Sequence, residues 1–157
     1  MIKEIEYIKG DATAPGGFGK KIIAHVCNDI GGWGKGFVMA ISAKWKQPEE
    51  QYRQWYQSQK DFTLGEVQFV QVEEDLWVAN MIGQHKINKD ERGNPPIRYE
   101  SVEQALEKVA VFAKENSASV HMPRIGCGLA GGKWELMEPI ISKQLSKHGI
   151  AVTVYDF

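Results

Sequence analysis

Twice along this chain an apolar run empties into a cluster of glycines and then into a helical periodicity. That arrangement constrains the fold more than any other feature. Lys21 to Cys27 (KIIAHVC) is almost continuously apolar, as expected of a central strand covered on both faces. It leads into Asn28–Phe37 (NDIGGWGKGF) and a helix predicted from Phe37 to about Lys46. Ser119 to Pro123 reads as a second strand. Met122–Glu135 (MPRIGCGLAGGKWE) and a helix from Trp134 to Lys147 follow it, with Gly149 as the terminating residue. Strands alternating with helices build a largely parallel sheet with helices on both faces.

The rest of the chain fits around these units. Ile2 to Lys9 alternates apolar and polar residues, as a strand with one wet face does, and Gly10-Asp11-Ala12-Thr13 breaks it. A further helix starts near Pro48 and carries an aromatic stripe at Tyr52, Trp55 and Tyr56. Gly65–Val72 and Leu76–Ile82 read as strands joined by the acidic turn Glu73-Glu74-Asp75. The polar segment Lys86–Ile97 reads as an exposed, mobile loop. Tyr99–Asn116 places Val102, Ala105, Leu106, Val109 and Phe112 on one helical face, with Ser101 as its candidate cap. Ile150–Tyr155 is the closing strand. The expectation is one three-layer α/β/α domain over residues 1–157, with a mixed, mostly parallel sheet of about six strands. The first strand and the central hairpin are expected to supply the mixing. Ligands in such folds bind at the carboxyl ends of the strands, which points to the loops after Cys27 and Pro123.

In the first loop Gly31, Gly32, Gly34 and Gly36 remove side chains from a strand-to-helix turn. Backbone amides there can approach an anion, and the helix N-terminus adds partial positive charge. The loop lacks both the GK[ST] ending of a P-loop and the GxGxxG spacing of a dinucleotide fold; its bland alternative is a flexible connection. Trp33 within it either lies over a ligand sugar or covers the core. Gly126, Gly128, Gly131 and Gly132 free the second loop in the same way. Side by side, two such loops make a cleft that holds two linked phosphates without basic side chains. Cys127 has no histidine near it in sequence. It reads as a small residue where backbone meets ligand rather than as a nucleophile.

The formal net charge of −1 gives no global field for nucleic acid. Lys20, Lys21 and Lys35 with Trp33 and Trp55 read as an ordinary solvated face. No apolar run has transmembrane length, and MIKEIEYIKG lacks signal-peptide character. A cytoplasmic location is the default expectation, with no membrane partner. Cys27 and Cys127 lack the paired spacing of a metal site, and neither metal nor cofactor is expected.

PRIGCGL followed by WE, an AHVCN strand end and Gly10-Asp11 after the first strand together resemble the macro-domain family. They are most similar to the subgroup of the terminal ADP-ribose glycohydrolase and the yeast-type ADP-ribose 1''-phosphate phosphatase. The resemblance covers essentially the whole chain. It implies ADP-ribose or a derivative as ligand, presented free or on a modified macromolecule. It implies either hydrolysis (loss of the 1''-phosphate, or release of ADP-ribose from the macromolecule) or binding without turnover. Asp11, with Ala12, would meet the adenine amino group; the bland role of Asp11 is a turn residue. Gly31, Gly32, Trp33, Gly34, Lys35 and Gly36 would hold the diphosphate and distal ribose from one side. Ile125, Gly126, Cys127, Gly128, Leu129, Ala130 and Gly131 would hold them from the other. Asn28 would contact the distal ribose, and Phe157 would stack on adenine or serve as a core aromatic. The glycohydrolase subgroup uses a lysine near the end of the fourth strand and an aspartate after GCGL. Here those places read Ile82-Gly83-Gln84-His85 and Leu129-Ala130-Gly131. Asn28 and Asp29 are then the candidates for positioning water. His25 reads as a core histidine, and His85 as able to face the cleft.

Overall fold

The computed structural model describes residues 2–156, so Phe157 lies outside the described residues. Strand β1 is Glu6–Lys9 and β2 is Lys21–Asn28; helices α1, Phe37–Lys44, and α2, Gln47–Ser58, come next. Strands β3, Val67–Glu73, and β4, Leu76–Gln84, precede α3, Tyr99–Asn116. Strand β5, Ser119–Met122, leads to α4, Trp134–Gln144; a single 3-10 turn, Ser146–His148, and β6, Val152–Asp156, close the chain.

The strands form one six-stranded sheet in the order β1-β6-β5-β2-β4-β3. Among the strands of the described residues, only the β3–β4 pair is antiparallel. β1 lies parallel to β6, with Glu6 opposite Thr153. The hairpin therefore supplies all of the mixing, and the first strand supplies none. A strand's own residues do not say which neighbour it will take.

Side-chain alternation along β2 sorts the core into two halves. Ile22 and Ala24 pack with Val102, Leu106, Met137 and Ile141 of α3 and α4. Ile23 and Cys27 pack with Ile41 of α1, Tyr52 of α2 and Phe62. Both faces are covered, which is why β2 reads as an unbroken apolar run. β1 has the opposite character: all four residues are exposed, and a short charged edge discourages further strand pairing.

Three local expectations are corrected. The strand expected from Ile2 begins only at Glu6. Helix α3 is preceded by Arg98 in extended conformation, and Ser101, expected as its cap, is buried inside the first turn. Helix α4 stops at Gln144 and not at Lys147; the chain continues through the 3-10 turn to Gly149, which is left-handed at φ 82. No helix among the described residues is long and apolar enough to cross a membrane.

Candidate functional site

The carboxyl ends of the parallel strands open along one edge of the sheet. Following the strand order, that edge presents Asp11 after β1, Asp156 of β6, the second glycine loop after β5, the first glycine loop after β2, and Gln84-His85 at the end of β4. A cleft of about 440 Å³ lies between the two loops, walled by His25, Lys35, Gly36, Gln84, Arg124 and Gly128 among others. A larger cavity, about 650 Å³, opens by the amino ends of β2 and β4 beside Glu73, Glu74 and Asp75. Its three carboxylates outnumber the two lysines, Lys21 and Lys44, that share the lining, and neither glycine loop borders it. The smaller cleft has the chemistry.

Asp11 is held by its own turn. One carboxylate oxygen accepts the Thr13 amide at 2.8 Å and the Thr13 hydroxyl at 2.7 Å. Those bonds hold its carboxyl below the usual carboxylate range. The second oxygen makes no hydrogen bond among the described residues, so the turn aims a free acceptor. Lys44 ties the turn to α1 through the Thr13 carbonyl at 2.8 Å. Ala12 is buried, leaving only its backbone to offer a ligand.

Asn28 organises the first loop. Its carbonyl oxygen accepts the amides of Ile30, 3.0 Å, and Gly32, 2.9 Å, and its amide donates to the Gly32 carbonyl, 2.9 Å. The buried Tyr52 hydroxyl donates to the Asn28 backbone carbonyl at 2.6 Å. Gly36 takes φ 84, ψ −148 at the start of α1, where a side chain would be strained. Trp33 is turned into the core: it is 4% exposed, donates to Ser42 at 2.8 Å and packs edge-on against His25. Of the two roles open to it, covering the core is the one its ring fills, and only its backbone remains for a ligand.

The second loop folds tightly on itself. The Gly132 amide donates to the Gly126 carbonyl at 2.7 Å, and a Cβ on Gly132 would lie 2.4 Å from that oxygen. Beneath it, Ile97 donates its amide to Ala130 at 3.1 Å and packs against the place a Gly126 side chain would need. Ile125 and Ala130 are buried, whereas Leu129 is 68% exposed at the rim. Burial pushes the Cys127 thiol up, which keeps it protonated and unsuited to nucleophilic attack at neutral pH.

The Lys86–Ile97 segment is exposed from Lys86 to Asn94, as expected of it, and buried only at its end. Asp90 accepts the amides of Arg92 and Asn94, both at 2.9 Å, closing a defined turn. Pro96 and Ile97 are buried under the second loop. Sequence reading also passed over Arg124 and Gln84. Arg124 lines the cleft, pairs with Asp156 at 2.7 Å, and stacks on Tyr7 and Trp134. Its place inside PRIGCGL was the available signal. Asp29 is partly buried, with both oxygens engaged: one accepts the Lys86 amide at 2.7 Å and the other meets His85 Nδ1 at 2.7 Å. His25 is buried against Asn80, and burial lowers its pKa to about 4. Among the described residues no group of histidines, cysteines and carboxylates is arranged to hold a metal ion.

No family model matches the chain. A solved structure of a protein of unknown function from Bacteroides thetaiotaomicron is 70% identical, with TM-score 0.98 and 99% of each chain covered. A macrodomain protein from Streptomyces coelicolor is 58% identical, with TM-score 0.88, covering 98% of this chain and 99% of its own. Among curated proteins, the mouse chromodomain-helicase-DNA-binding protein 1-like is 31% identical over 163 residues, but the chain spans only 18% of its length. An ADP-ribose 1''-phosphate phosphatase of Candida albicans is 25% identical over 145 residues, covering 88% of this chain and 92% of the yeast protein.

Proposed function

This chain belongs to the macro-domain family, and from that premise we propose that its cleft binds ADP-ribose and that it hydrolyses a derivative of it. The observation that carries the binding reading is the glycine pattern of the two loops. A Cβ at Gly34 or Gly128 would meet nothing within 4 Å, and neither residue has a positive φ. The fold therefore gives no reason for glycine at either position, whereas a ligand backed against bare backbone does. The amides of the two loops would take the diphosphate, with Lys35 and Arg124 as the nearby cations, and the free oxygen of Asp11 would accept from the adenine amino group. Asn28 would hold the first loop in shape beside the distal ribose.

Hydrolysis is supported by the likeness to the yeast phosphatase over nearly its whole length. The substrate would be ADP-ribose 1''-phosphate or an ADP-ribosylated macromolecule. No lysine adduct is expected: the regions that would carry the subgroup's lysine and aspartate read Ile82-Gly83-Gln84-His85 and Leu129-Ala130-Gly131. One observation favours binding without turnover, namely that the cleft walls carry Lys35 and Arg124 but no carboxylate. Chromatography of ADP-ribose 1''-phosphate incubated with the protein separates the two readings. Release of ADP-ribose is expected, borohydride should trap no protein–ribose species, and no product from any ADP-ribose derivative would leave the binding module.

A further inference from the structure

The edge of the sheet opposite the glycine loops carries a further cavity, at the amino ends of the neighbouring strands β6, β5 and β2. Its volume is about 280 Å³. Lys3, Lys20, Lys114 and His148 line it together with Ser119, and no carboxylate does. These cations come from four separate segments that backbone bonds hold together. The Lys3 amide donates to the Ser146 carbonyl at 2.8 Å, joining the start of the chain to the turn that carries His148. The Ser119 amide donates to the Lys20 carbonyl at 3.0 Å. The Ala118 amide donates to the Ala113 carbonyl at 2.8 Å, closing α3 just beyond Lys114. None of the three lysines makes an ion pair among the described residues. A chain of net charge −1 thus gathers like charges around one concavity, an arrangement that favours an anion between them. Phe18 stands at the lip. It is fully exposed on the tip Gly16-Gly17-Phe18-Gly19, where Gly17 and Gly19 take φ 92 and 83.

We propose that this cavity binds single-stranded nucleic acid, with Lys3, Lys20 and Lys114 on a backbone phosphate and Phe18 stacked on the adjoining base. The site is separate from the ADP-ribose cleft and does not rest on that reading. Cations around a groove with an aromatic ring beside them are what an unpaired nucleotide needs: charge for the phosphate and a flat apolar face for the base. A lone ring on a loop tip reaches only an unpaired base, which disfavours a duplex. The cavity is just below the roughly 300–1,000 Å³ of small-ligand sites. It takes a phosphate and its sugar, and the rest of the strand runs outside. A membrane surface fits less well, because interfacial binding buries a broad apolar face and here one side chain supplies all of it. With no global basic field, the attraction is local and strongly dependent on salt.

The test is fluorescence anisotropy of the intact protein with a dye-labelled oligothymidylate of about eight nucleotides, within the usual site size of such grooves. Thymine has no exocyclic amine for Asp11 to accept from, so the probe is a poor ligand for the cleft. It should bind at low salt, and saturating ADP-ribose should not displace it. Phe18→Ala should weaken it about fivefold or more, the lower end of what one stacked base is worth. Lys114→Ala should make the slope of log affinity against log salt shallower by about 0.7. Phe18 and Lys114 are both exposed, so each variant should keep the melting temperature of the parent, and circular dichroism checks that it does. No binding of the oligothymidylate overturns the proposal. So does its displacement by ADP-ribose, which would put the strand in the cleft. Unchanged affinity in folded Phe18→Ala overturns it, as does tighter binding of the corresponding duplex. Capture by phosphatidylserine vesicles without binding of the oligonucleotide would assign the patch to a membrane surface instead.

Discussion

At the scale of single residues, the site is made by groups whose local bonds leave one valence spare. Asp11 spends one oxygen on Thr13 and keeps the other. Asp11→Ala should weaken ADP-ribose binding by about 1–3 kcal/mol, the usual worth of a hydrogen bond to a charged group. Calorimetry on a variant of unchanged melting temperature checks this, and unaltered affinity would remove Asp11 from the site. The glycines divide into two kinds. Gly132 is required by the fold, because a Cβ would lie 2.4 Å from the Gly126 carbonyl; Gly132→Ala should cost about 1–3 kcal/mol of stability through overpacking. Gly34 meets nothing within 4 Å. Gly34→Ala should leave denaturant unfolding unmoved while raising the ADP-ribose Kd about tenfold, near 1.4 kcal/mol. Loss of stability without loss of affinity at Gly34 would contradict its assignment to ligand space.

Between elements, the Pro95–Ile97 segment couples β4 to the second loop. Ile97 is 4% exposed, packs on the core beside Met137 and bonds to Ala130. Ile97→Ala should destabilise by about 2–4 kcal/mol, as buried isoleucine truncations do. It should also weaken ADP-ribose binding, because the loop above loses its floor; urea unfolding and titration of the same variant read both effects. The elements themselves were legible where periodicity is strong: the apolar run of β2, the face of α3 and the glycine clusters at both strand ends. Contacts between distant segments were not. His85 lies 56 positions from Asp29, Arg124 pairs with a residue 32 positions on, and Ile97 sits at the end of a largely polar stretch. Nothing in the local composition of these segments encodes their partners. The same limit explains β1, whose alternation marked a strand but not its parallel partner.

Across the whole molecule, two buried histidines set a pH dependence. His25 and His121 are both held near pKa 4, chiefly by burial, against an ordinary value of about 6.5. Between those values the unfolded chain binds more protons than the native one, so stability rises with pH. The contribution is fully present above about pH 6.5 and is lost as pH falls through about 4, on the order of 3 kcal/mol for each histidine. Denaturant midpoints at pH 7 and pH 4.5 measure it; His121→Gln, which removes one of the two groups, should flatten the slope. An unchanged midpoint between the two pH values would show that neither histidine is buried neutral. The whole sheet edge assembles the cleft, and paired calorimetric titrations with ADP-ribose and AMP test it most directly. ADP-ribose should bind at least about tenfold more tightly, a difference of about 1.4 kcal/mol or more, because only it reaches both glycine loops. Equal affinity for the two ligands would contradict the two-loop cleft.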